Sequence, residues 1–138
     1  MESKDKKIIV LACSGASNTG AYSDKVARKM MANGKGKMLC LARFAVDPKF
    51  AEQSKKDLEA LGDTGELIII DGCPINCAEE IMKKSGFLKY RHINTTDFGI
   101  TKGKTPVTEE KIDEIIRGIV AVIKSSHKEK KQKGNEHE

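Results

Sequence analysis

Four cysteines, Cys13, Cys40, Cys73 and Cys77, are the residues of this chain best suited to chemistry. Thiolates are soft donors, and four of them suit Zn²⁺ in tetrahedral geometry. Cys73 and Cys77 are four positions apart, so within a helical turn they share one face. A helix N-terminus there favours thiolate over thiol. Two neighbouring thiolates need a cation to neutralise them. No fifth cysteine competes, so the expectation is one zinc per chain held by all four. Cys40 lies within an apolar stretch, where a small buried cysteine filling core space is the competing reading.

The segment Cys13-Ser14-Gly15-Ala16-Ser17-Asn18-Thr19-Gly20 is a strand-to-helix loop of small residues. Such loops aim backbone N–H groups at an anion, which makes Ser14, Gly15, Ala16, Ser17 and Asn18 a candidate anion-binding loop. A P-loop would need Lys and Ser/Thr after Gly20, where Ala21 and Tyr22 stand. A low-molecular-weight tyrosine phosphatase loop would need Arg six after the cysteine, where Thr19 stands. A tight turn capped by Ser17 or Asn18 explains the same residues equally well. Asp71 and Asp97 are candidate acceptors behind the ligands. Asp97 lies in the long segment Thr95–Thr108, and a turn-forming role is favoured for it. His92 reads as a surface residue of an edge strand, and His127 and His137 fall in the C-terminal tail, so all three are left outside the site.

These residues need a scaffold. Lys7–Cys13, Lys37–Arg43, Glu66–Asp71 and Leu88–Asn94 read as buried parallel strands, the first and third being continuous apolar runs. The fourth is more polar and suits an edge. Each strand is followed by a helical pattern. The first helix, over Ala21–Asn33, places Tyr22, Val26 and Met30 on one face before Gly34. The second has Asp47 as cap and Pro48 in first position, with Phe50, Leu58 and Leu61 inward and Gly62 at its end. The third starts at Pro74 and carries Ile75, Ala78, Ile81 and Met82. The fourth begins after Thr108, with Glu109 and Glu110 in its first turn and a stripe of Ile112, Ile115, Ile116, Ile119, Val120 and Ile123. The alternation predicts a three-layer α/β/α sandwich, Rossmann-like, with a small, mostly parallel four-stranded sheet in the order 2-1-3-4. In such a sheet sites form outside the carboxyl ends of the strands, where the strand order reverses. Three separate stretches would thus deliver the cysteines to one sheet edge, adjacent strands being about 4.8 Å apart.

The chain has 138 residues, enough for one domain with its own core, and with aromatics at 4% and no Trp that core must be aliphatic. Residues 1–124 read as that domain. Residues 125–138 offer nothing apolar to bury and read as a charged, disordered tail. The net charge is +5, and residues 124–138 contribute five lysines against three glutamates. Without a basic face interleaved with aromatics, nucleic acid is not expected as a partner. The apolar runs are far too short for a membrane span and the first residues do not form a signal peptide. A cytoplasmic, reducing setting is expected, where clustered cysteines mean metal or redox chemistry more often than disulfides.

Asp71-Gly72-Cys73-Pro74-x-x-Cys77, preceded by Cys13-Ser-Gly-Ala-Ser and Cys40-Leu-Ala, resembles the DGC domain family of zinc-binding proteins. The resemblance covers roughly residues 7 to 124. It implies that Cys13, Cys40, Cys73 and Cys77 chelate the metal, and it extends to Asp97-Phe98-Gly99. It supplies no activity. The reading that follows is a zinc-binding protein acting as metal store, carrier, sensor or zinc-stabilised binding module, with the metal ion as partner and a protein partner unidentified. The alternative is a thiol- or zinc-dependent enzyme using Cys13 or the Cys73/Cys77 pair beside the anion-binding loop. Against it, no histidine or arginine is placed to activate a thiolate, and C-x3-C departs from the C-x-x-C of thioredoxin-like proteins. A third reading is an adaptor whose basic tail recruits an acidic partner.

Overall fold

Alternation along one strand explains the layers. In the computed structural model, Ile68 and Ile70 point into one apolar cluster and Leu67 and Ile69 into another, all four being buried. Both faces of the sheet are therefore covered, as the unbroken apolar run required. The structure describes residues 7–15, 17–72, 75–87 and 89–136, with side chains described as far as Ile123.

The strands are β1 (Lys7–Ala12), β2 (Lys37–Met38), β3 (Gly65–Asp71) and β4 (Arg91–Asn94). All pairings are parallel, in the order β2-β1-β3-β4, the predicted one. The helices are α1 (Asn18–Ala32), α2 (Leu41–Val46), α3 (Pro48–Leu61), α4 (Cys77–Lys84) and α5 (Glu109–Glu136). Tyr22, Val26 and Met30 of α1 and Ile112, Ile115, Ile116, Ile119 and Ile123 of α5 pack with Val10, Ile68 and Ile70 on one face. Phe44 of α2, Ala51 of α3 and Ala78 and Met82 of α4 pack with Leu11, Leu67 and Ile69 on the other. Asp47 caps α3 as expected, its Oδ1 accepting from the Phe50 amide at 3.2 Å, with Pro48 in the first turn. The Phe50 amide and then Arg43 hold the Asp47 carboxyl below its ordinary pKa.

Several boundaries differ from the sequence reading. The second strand, expected over Lys37–Arg43, ends at Met38, although the Leu39 amide still donates to the Val10 carbonyl at 3.1 Å. Leu41–Val46 is helical instead, because Leu, Ala and Arg favour helix and only Phe44 needs burial. A short apolar run does not distinguish the two conformations. The third helix starts at Cys77 rather than Pro74, and Ile75 is 71% exposed instead of facing the core. The fourth strand begins at Arg91, and Leu88 lies outside the described residues. Helix α5 continues to Glu136 where an irregular tail was expected after Lys124. Lys, Glu and Gln are good helix formers, so charge without apolar residues does not by itself end a helix. Among the described residues, no helix is long and apolar enough to cross a membrane.

Candidate metal centre

The strand order reverses between β1 and β3, and the candidate site lies at their carboxyl ends. The Cys13 amide donates to the Ile70 carbonyl at 3.0 Å, so Cys13 leaves the sheet alongside the last residues of β3. The Ser23 hydroxyl, one turn into α1, donates to the Cys13 carbonyl and fixes it from below. Ser17 caps α1, its Oγ accepting from the Gly20 amide at 3.3 Å.

Two glycines let the backbones meet here. A Cβ on Gly20 would stand 2.6 Å from the Gly15 nitrogen, and one on Gly72 would stand 2.5 Å from the Thr19 carbonyl oxygen. Both distances are impossible for a side-chain carbon, so the loop after β1, the first turn of α1 and the segment after β3 close together only because these positions lack one. The result is an open cleft of about 540 Å³ lined by Cys13, Cys77, Lys102 and the backbone of Gly15, Gly20 and Gly72, among others. Cys13 is half-buried and Cys77 exposed.

Asp71, the last residue of β3, is 1% exposed and organises the start of α4. Its Oδ1 accepts from the Ala78 amide at 2.8 Å and its Oδ2 from the Glu79 amide at 3.1 Å. A carboxylate on those amides also complements the helix dipole. His92 Nε2 hydrogen-bonds the same Oδ2 at 2.8 Å, and its Nδ1 lies 3.6 Å from Glu79 Oε1. The Tyr90 hydroxyl donates to Glu79 Oε2 at 2.9 Å. Desolvation by burial and then the Glu79 carboxylate raise the Tyr90 pKa above its ordinary value. Before α4 the chain passes through Asn76 with φ 55°, a left-handed residue whose side chain accepts from Asn94 Nδ2 at 2.9 Å.

The sequence-predicted residues divide clearly. Cys13 and Cys77, far apart in sequence, share the cleft. Cys40 is exposed at the position preceding α2, so it does not fill the core. Its strand is in register with β1, which puts it at the same end of the sheet as Cys13. Cys73, and Ala16 of the candidate loop, lie outside the described residues. Among the described residues no three His, Cys, Asp or Glu side chains come close enough to hold a metal. Of the candidate anion loop, Ser14 and Gly15 remain open to solvent, whereas the Ser17 and Asn18 side chains are committed to the protein. Asp97 is exposed in the 3-10 turn Thr95–Phe98. His92, Glu79, Tyr90 and Lys102 were missed. The period-two alternation of β4 puts His92 and Asn94 on one face, but without the β3 pairing nothing points His92 at Asp71.

A family model, described as DGC domain, matches residues 9–119. The chain therefore belongs to the DGC domain family. No curated protein and no solved structure matches it.

Proposed function

We propose that this member of the DGC domain family binds one zinc ion per chain through Cys13, Cys40, Cys73 and Cys77, as a metal store, carrier, sensor or zinc-stabilised binding module in a reducing compartment. The observation that carries the reading is the shared cleft: Cys13 and Cys77 come from two strand ends yet line one space. Family membership fits a metal partner. The donor chemistry also fits, since thiolates are the preferred ligands of closed zinc sites. Zinc bound there would neutralise the thiolates and tie the strand ends together. The chain's own residues do the rest. Asp71 fixes the first turn of α4, which carries Cys77, and the Ser23 hydroxyl pins the backbone of Cys13. Gly72, just after β3, lets the backbone pass against the first turn of α1.

Metal analysis of the purified full chain tests this. Close to one zinc per chain is expected, and each single Cys→Ser change should release it faster to a chromogenic chelator, because three thiolates bind far more weakly than four. Reduced, folded protein with metal content near zero would overturn the reading.

The second reading, a thiol- or zinc-dependent enzyme, is favoured by one observation. The cleft is open to solvent and Lys102 lines it, which gives an anionic substrate a path to the thiols. Cys40→Ser decides between the two. If that variant keeps its zinc, three cysteines are the ligands and a fourth position is open to substrate.

A further inference from the structure

Asn18, the first residue of α1, spends its whole side chain on a distant loop. Its Nδ2 donates to the Thr101 carbonyl at 3.0 Å and the Thr105 carbonyl at 2.7 Å, and its Oδ1 accepts from the Gly103 amide at 2.7 Å. One turn later, the Tyr22 hydroxyl donates to the Pro106 carbonyl and accepts from the Thr108 amide at 3.1 Å. Within the loop, the Thr101 amide donates to Thr105 Oγ1 at 2.8 Å and the Lys104 amide to the Thr101 carbonyl at 3.0 Å. Residues 101–108 are thus strapped to one face of α1 by two side chains spaced i, i+4. The strap carries Lys102 to the cleft. Among the described residues lining that cleft, Lys102 is the one with a charged side chain.

We propose that Lys102 makes the cleft selective for small organic anions approaching Cys13 and Cys77, and that Asn18 is the positioning residue that holds the lysine there. An ammonium held at a cleft by its backbone raises the local concentration of anions and repels cations, an effect that salt screens. This gives the cleft a ligand class, small organic anions, that the metal reading does not supply. It also relocates the anion recognition expected of residues 14–18: Asn18 meets the strap, and the strap's lysine meets the anion. The inference rests on the geometry of the strap and holds whether or not zinc is bound.

The test uses two alkylating reagents of nearly equal size, anionic iodoacetate and neutral iodoacetamide, on the full chain as purified. Rates are read at each cysteine by peptide mass spectrometry, with zinc content measured on the same samples. The neutral free thiol 2-mercaptoethanol in the same buffer is the reference, because Cys40 belongs to the proposed zinc site. The iodoacetate-to-iodoacetamide ratio at Cys13 and Cys77 should exceed that of the free thiol by about threefold at low ionic strength. It should fall to the free-thiol value at 1 M salt, where the screening length is about 3 Å. Lys102→Gln should abolish the excess by slowing iodoacetate more than iodoacetamide, a charge signature that a packing role would not produce. Asn18→Ala should abolish it too, with Lys102 still in the chain. Ratios at Cys13 and Cys77 equal to that of the free thiol in the parent, or an excess that survives Lys102→Gln, would overturn the proposal. An excess lost in Lys102→Gln but kept in Asn18→Ala would overturn the positioning role of Asn18. A chain without zinc would overturn the metal reading and leave the ratios, and hence this inference, standing.

Discussion

Helices α1 and α4 both begin at the carboxyl edge of the sheet and both flank the cleft, yet the free amides of their first turns are capped in opposite ways. Helix α1 is capped by its immediate neighbour, Ser17, whose Oγ takes the Gly20 amide. Helix α4 has no side-chain cap from Asn76, which is left-handed. Its amides are taken by Asp71 from the end of β3, six residues before Cys77. The first arrangement is local and part-buried. The second is a buried carboxylate tied to another strand through His92. A local cap sets only where a helix starts, whereas a cap borrowed from a strand also fixes the helix against the sheet. Here the borrowed cap belongs to the helix that opens with Cys77.

The contrast predicts a graded series. Asp71→Ala should have the largest effect, because it strips one buried amide, one part-buried amide and His92 of a single charged acceptor. A loss of about 3 kcal/mol is expected in urea unfolding, hydrogen bonds to charged groups each contributing roughly 1.5–3 kcal/mol. If α4 is as weakly coupled as α1, the loss will stay near 1 kcal/mol and the comparison fails. His92→Ala should be intermediate, about 1–2 kcal/mol, since Asp71 keeps both amides while losing one partner. Hydrogen exchange should then show the Ala78 and Glu79 amides still protected; their exposure would mean that His92, rather than Asp71 alone, holds the turn.

Ser17→Ala should cost about 1 kcal/mol, the usual value for an N-cap, and Ser17→Asp should recover most of it. Metal content should not change, whereas in Asp71→Ala it should fall. Equal metal loss in both variants would break the distinction between the two caps. The smallest effect concerns Asp47 of α3, an exposed local cap. Its folded pKa lies below its unfolded value, so its contribution is complete above the ordinary carboxylate range and disappears as pH falls through the folded pKa. Asp47→Asn should therefore lower stability slightly near neutrality and leave it unchanged in acid below the folded pKa, flattening the acid side of the stability curve. A difference that shrank as pH rose through the carboxylate range would contradict the assignment.

The strongest signals in the sequence were those whose physics is local or periodic. The strand order followed from where the continuous apolar runs fell, since Val10, Leu11 and Ile68–Ile70 can be buried only in the middle of a doubly covered sheet. The α5 stripe and the Asp47-Pro48 start were equally plain. The apolar segment Met38–Leu41 was not, because two residues of strand followed by a helical turn leave the same composition as a longer strand. The start of α4 was hidden for a different reason: its cap lies across a turn, and its position depends on where β3 ends.

By itself, then, the sequence determined the layer architecture, the family and the gathering of strand ends at one edge, because burial and periodicity act through neighbours along the chain. Only the tertiary structure decided what surrounds the thiols. Asp71 faces α4 because β3 ends beneath it, and His92 reaches Asp71 because β4 pairs beside β3. Lys102 reaches the cleft because Asn18, more than eighty positions earlier, holds its loop. None of these contacts has a signature in spacing, since each depends on two segments that meet only after the sheet has formed.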